Sequence, residues 1–191
     1  EESIMGQGDD IYGDRLTASL ASVGPTGQVS GNAEDQVAPV VAGDPVSGNA
    51  VVVWQDRRLN QKGNIFGSRI DSSGNVLEED GILLLTRPND MAEHNITKGP
   101  GDDYLVAATE FAAQPTNPDR IYFRLVRDEE PDGMMTMTST TVPADGQTAA
   151  ALCLGPAQGA SGLPLVDRTR YTLTWASTSI NPGELDILPD R

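Results

Sequence analysis

A heptapeptide that returns within the chain constrains the fold more than any other feature. Asp10-Ile11-Tyr12-Gly13-Asp14-Arg15-Leu16 reappears as Asn64-Ile65-Phe66-Gly67-Ser68-Arg69-Ile70, 54 residues on, with five of seven positions identical or close in type. Each copy runs into a turn and a short strand start, Pro25 to Val29 in the first and Ser72 to Val76 in the second. An upstream element recurs as well. Ala38-Pro39-Val40-Val41-Ala42 leads through the turn Asp44 to Asn49 into Ala50-Val51-Val52-Val53-Trp54-Gln55-Asp56, and a weaker copy runs from His94-Asn95-Ile96-Thr97 into Tyr104 to Ala108. Ile121 to Val126 then stands where the Ile-Tyr/Phe strand belongs, which makes three consecutive units at a period near 55 residues. Such periods are the mark of repeat architectures.

Within each unit, three or four runs of Val, Ile, Tyr, Phe and Trp are bounded by Gly, Pro, Asn and Asp. This is the pattern of short strands joined by tight turns. No segment sustains a 3.6-residue apolar period, so no helix longer than about two turns is expected. A blade-sized period holding several strands predicts an all-β chain with propeller-like repeat sheets.

The residues Val51-Val52-Val53-Trp54-Gln55-Asp56-Arg57-Arg58 and Asn64 to Leu77 resemble the β-propeller repeats of large secreted bacterial proteins, which run VVWxDxR…DIYAQRxDxxGxxLW. The resemblance is close over 37–85, partial over 9–30, weak over 94–135, and ends at about Gly133. It implies a propeller fold and an extracellular location, and no particular activity. Where the family carries a tryptophan after the last turn, this chain has Glu78 or Glu79, so blade packing is expected to deviate there. A propeller needs roughly four to eight blades, whereas the chain supplies about two and a half. A fragment of a larger propeller, a sheet stack completed by other subunits, and a sandwich of the same hairpins all remain open.

The repeat region is taken as residues 1–133 and a C-terminal antiparallel β region as 134–191. In the latter, Tyr171-Thr172-Leu173-Thr174-Trp175 alternates cleanly, Met134 to Val142 alternates imperfectly, and Gly155 to Pro164 reads as a long loop. Exposed sheet edges invite pairing. Those of the repeat region are expected to be covered by another chain or by this C-terminal segment.

The formal charge of −15, with only Lys62 and Lys98 as lysines, argues against nucleic acid as a partner, because phosphate binding needs a positive footprint. It argues equally against an anionic membrane surface, and no apolar run is long enough to span a bilayer. The same balance suits a saline environment or simple solubility. Cys153, the single cysteine, allows no disulfide within the chain and reads as a small buried hydrophobe. The opening Glu1-Glu2-Ser3, without an initiator Met, reads as the start of a processed portion of a longer precursor.

No catalytic or cofactor-binding residue is assigned. His94, the single histidine, reads as a surface or strand-edge residue, and no Gly-x-Ser-x-Gly elbow accompanies it. Asp56 and Glu110 end equivalent strands and form the best carboxylate pair, but Arg57, Arg58 and Arg69 nearby favour a structural ion pair. Calcium is the one candidate ion. Asp71 to Asn75 and Asp128 to Gly133 crowd oxygen donors into turns, though ordinary Asp and Gly turn chemistry explains them better. Asn95-Ile96-Thr97 is an N-glycosylation triplet.

Two functions follow as expectations. The first is an extracellular structural or adhesive subunit of a surface or filament assembly, self-associating and completed by neighbouring chains. The second is a ligand-binding propeller portion of a secreted hydrolase, taking polysaccharide or peptide on Trp54, Trp175, Tyr104 or Tyr122. One hairpin bears on the choice. Strand 51–56 is expected to pair antiparallel with 64–70 around Arg57 to Gly63, with Trp54 facing Gly67, Val52 facing Arg69, and Asp56 on the face of Arg69. The equivalent Ala108 and Phe123 would exchange large and small partners, which makes Trp54 and Phe123 core residues.

Overall fold

The computed structural model describes residues 8–24, 26–59, 62–99, 103–112 and 119–127, together with the strand backbones at 135–137, 147–154 and 171–177. The chain is all-β, and no helix occurs among the described residues. Its strands are β1 (Ile11–Gly13), β2 (Gly27–Ser30), β3 (Gln36–Gly43), β4 (Ala50–Asp56), β5 (Asn64–Ile70), β6 (Ile82–Leu85), β7 (Met91–Lys98), β8 (Asp103–Glu110), β9 (Arg120–Arg127), β10 (Met135–Met137), β11 (Gln147–Leu154) and β12 (Tyr171–Ser177). Two four-stranded antiparallel meanders, β3-β4-β5-β6 and β7-β8-β9-β10, form the centre, with the hairpins β1-β2 and β11-β12 as separate two-stranded sheets.

The repeat is visible in the pairing itself. Adding 55 on the first strand and 54 on the second turns the β3–β4 register into the β7–β8 register, so Gln36↔Asp56 becomes Met91↔Glu110. The irregularity between Val37 and Val40 becomes one between Ala92 and Asn95. At its centre, Ala38 and Glu93 both take positive φ, 55° and 47°, a rare conformation for side-chain-bearing residues and so a shared structural device. The outer hairpin repeats too. Adding 54 and 55 turns Ile11↔Ser30 into Ile65↔Leu85, with an irregularity after the first pair in both, and the bridge Leu16↔Ser22 recurs as Ile70↔Val76.

The first hairpin occurs a third time, beyond Gly133, where the sequence shows no period. Adding 111 and 121 turns Gln36↔Asp56 into Gln147↔Ser177 and Gly43↔Ala50 into Leu154↔Tyr171. The irregularity falls at the matching place, between Thr148 and Ala151. β11–β12 is thus a copy of β3–β4, with Gln147 at the position of Gln36 and Trp175 at that of Trp54. β10 departs from the pattern by pairing with Leu125 to Arg127 of β9.

Successive units stack in one manner. β7 lies across β3, β4 and β5, and β11 lies across β7, β8 and β9, whereas β3 touches β1. One core, which includes Val51, Val53, Ile65, Leu84, Met91, Ile96, Tyr104 and Val106, fills the space between the two meanders. A second, of Ile11, Val29, Val52, Trp54 and Phe66, joins the β1–β2 hairpin to the first meander.

The 51–56/64–70 hairpin forms as expected, but its register differs from expectation by one residue. Asp56 closes opposite Asn64, and Trp54 faces Phe66, Val53 faces Gly67, and Val51 faces Arg69. The Arg57 amide donates to the Asp35 carbonyl at 3.2 Å, which continues the β3–β4 pairing by one residue. A one-residue slip reverses every face, so Trp54 and Gly67 lie on opposite faces, as do Asp56 and Arg69. The glycine beside the indole is Gly81, where a Cβ would sit 2.3 Å from Trp54 Cη2 and φ is +71°. The expected exchange fails likewise, since Ala108 faces Tyr122 and Phe123 faces Ala107. Trp54 is fully buried, while Phe123 is half-buried.

Candidate functional site

Asp56 anchors the most developed polar cluster. Its carboxylate, fully buried, accepts from Trp54 Nε1 at 3.0 Å, from the Arg58 amide at 2.9 Å and from Arg58 Nε at 2.9 Å. Arg58 stacks over Phe66, 4.3 Å from the ring centroid, and donates to Ser30 Oγ at 3.1 Å. The cluster ties β2, β4 and β5 together. Every acceptor direction of Asp56 that these contacts use is filled by fixed donors, which is the chemistry of a structural ion pair. Its partner is Arg58, while Arg69 pairs with Glu78, donating from its amide at 2.8 Å and from Nε at 2.7 Å. Glu78, one of the two positions where the sequence resemblance would place a tryptophan, thus forms an ion pair.

Glu110 ends β8 as Asp56 ends β4, and accepts from Asn89 Nδ2 at 3.0 Å. The two carboxylates belong to different meanders and have separate partners. His94 lies on β7, the edge strand of its meander, but is buried between the meanders and not at the surface. Burial holds its pKa below the ordinary histidine value, with the backbone at Ala38 and Val53 opposing that shift.

Of the candidate calcium turns, Asp128 to Gly133 lies outside the described residues. In the other, Asp71 accepts from the amides of Ser73 and Asn75 and from Asn75 Nδ2, each at 2.8 Å. Those bonds, the Asn75 side chain first, hold the Asp71 carboxyl below its usual pKa. The carboxylate caps its own turn. Among the described residues, no group of three or more His, Cys, Asp or Glu could hold a metal ion. Asn95 is half-buried within β7 and not in a loop, and its Oδ1 accepts from the Ile96 amide.

The proposed aromatic platforms are corrected. Trp54, Tyr104 and Tyr122 are all buried, because each faces into the stack of sheets. The side chains of Trp175 and Cys153 lie outside the described residues.

A cleft that the sequence did not announce opens between the β1–β2 hairpin and the first meander. It encloses about 530 Å³ and is lined in part by Tyr12, Arg15, Val29, Pro39, Val41 and Val52. Its walls hold apolar residues that the repeat would bury. Val41 is 62% exposed, whereas Ile96 at the equivalent position of β7 is 5% exposed. Tyr12 is 58% exposed, whereas its equivalent Phe66, beneath Arg58 and opposite Trp54, is 5% exposed. The signal in the sequence was the alignment of Tyr12 with Phe66 and of Val41 with Ile96, read for what covers each. No helix among the described residues is long and apolar enough to cross a membrane. Compared with protein-family models, curated proteins and solved structures, the chain matches none.

Proposed function

We propose that the chain is an extracellular structural or adhesive repeat protein of propeller type, a subunit whose sheet stack is completed by neighbouring chains. The observation that carries this reading is the uncovered apolar wall at Tyr12 and Val41, at positions whose repeat equivalents are buried. Contiguous exposed apolar surface marks association sites on folded proteins. The polar clusters support the same reading, because buried Asp56 and Glu110 and the turn residue Asp71 each serve local structure. Sedimentation velocity of the purified chain over a wide concentration range tests it. Concentration-dependent assembly is expected, and a monomer at every concentration would overturn it.

The cleft also favours a second reading, a ligand-binding propeller portion of a secreted hydrolase. Its volume falls in the range of small-molecule sites, and it sets apolar walls beside Asp14 and Arg15. A monomer that binds soluble oligosaccharides or peptides, and loses them on Tyr12→Ala, would support this reading over the first.

A further inference from the structure

We infer that the β11–β12 hairpin of one copy completes the β1–β2 hairpin of a second copy, forming one four-stranded sheet shared between chains. This deepens the assembly reading above and rests on it. In both central meanders the strand order is first hairpin, then second hairpin, with β4 pairing β5 and β8 pairing β9. β1–β2 carries the register of β5–β6, so it is a second hairpin, and among the described residues no first hairpin joins its sheet. β11–β12 carries the register of β3–β4, so it is a first hairpin, and among the described residues no second one joins its sheet. The two halves are complementary. They sit at opposite ends of the stack, one against β3 and the other across β7, β8 and β9. One chain therefore offers each half to a different neighbour, a head-to-tail contact.

The β4–β5 pairing supplies the register. Moved by 121 on β4 and by −54 on β5, Trp54↔Phe66 becomes Trp175↔Tyr12, and Val53↔Gly67 becomes Thr174↔Gly13. Exposed Tyr12 would then gain the cross-strand tryptophan that covers Phe66 within the chain. The incoming first hairpin would also occupy the place before β3 that β3 and β4 hold before β7. Val41 would be covered there as Ile96 is. The seam thus continues an interface that the chain already makes with itself.

The test uses the 191-residue chain with Cys153→Ala, so that no native thiol competes. Moved in the same way as Trp54↔Phe66, Val52↔Ser68 becomes Leu173↔Asp14. Asp14→Cys is made in one preparation and Leu173→Cys in another. Ser68, the equivalent of Asp14, carries a side chain of cysteine's size opposite β4, so the seam has room for it. Directly opposed cross-strand positions lie within disulfide reach. Mixing the two under mild oxidation should give a reducible covalent dimer, absent from either preparation alone. Thr174→Cys in place of Leu173→Cys should give little or none, since its side chain would be on the other face. As a second measure, Tyr12→Ser should leave the melting temperature of the dilute chain unchanged and weaken self-association by about tenfold or more. Assembly without the Asp14–Leu173 cross-link, or equal linking through position 174, would overturn the shared sheet and leave the assembly reading standing. A monomer would overturn both.

Discussion

Trp54 and Asp56 act as one unit, and substitutions should reveal it. Asp56→Ala would leave the indole N–H and the Arg58 guanidinium without their buried acceptor. A loss of about 3–5 kcal/mol is expected in denaturant unfolding, the usual cost of removing one partner of a buried pair. Gly81→Ala would press a methyl group on the indole in a backbone conformation that disfavours it. It should destabilise the chain by about 1–3 kcal/mol, and Trp54→Leu in the same chain should recover part of that loss. Recovery by Trp54→Leu of a Gly67→Ala defect instead would contradict the observed register. His94 gives a pH signature. Its folded pKa lies below the ordinary value of 6.5, so between the two values the unfolded chain binds the extra proton. Stability is then lost as pH falls from about 6.5 toward the folded pKa. His94→Gln should flatten that part of the profile in thermal melts at successive pH values, and an unchanged slope would remove His94 as its source.

At the scale of the strands, much was legible because alternation and turn residues speak locally. The β4–β5 hairpin, the repeat of β1 in β5, and the β3–β4 unit in β7–β8 all follow from runs of β-branched residues between Gly, Asn and Asp. The register was legible too, since the loop Arg57 to Gly63 closes Asp56 on Asn64 and so sets Trp54 opposite Phe66; the expected Trp54–Gly67 pair was one residue out of step with that loop. The third first-hairpin did not follow. Gln147-Thr148-Ala149-Ala150 shares only its glutamine and one alanine with Gln36-Val37-Ala38-Pro39, too little to mark a repeat, and what recurs is the backbone irregularity. Of the candidate site, the acidic turns were read correctly as turn chemistry at Asp71. Trp54 was read correctly as core, whereas Tyr104 and Tyr122 were misassigned as platforms, since composition alone does not say which face of a strand the next sheet will cover. The irregularity itself is testable. Ala38 holds a positive φ, so Ala38→Gly should stabilise the chain by up to about 1 kcal/mol, and Ala38→Val should destabilise it.

At the scale of the whole molecule, the charge of −15 per copy opposes self-association. Salt screens that repulsion while leaving apolar burial intact. Association should therefore tighten between about 0.05 M and 1 M sodium chloride, as read by sedimentation equilibrium, and weakening over that range would point to an interface held by ion pairs. In the proposed assembly the open edge of β1 is paired by another copy. Amide hydrogen exchange over residues 9–16, followed by mass spectrometry at low and high protein concentration, reads that edge directly. Protection of this segment should rise with concentration, together with that of 171–177, while that of 50–56 stays unchanged. Exchange over 9–16 that is equally fast at every concentration would contradict that pairing.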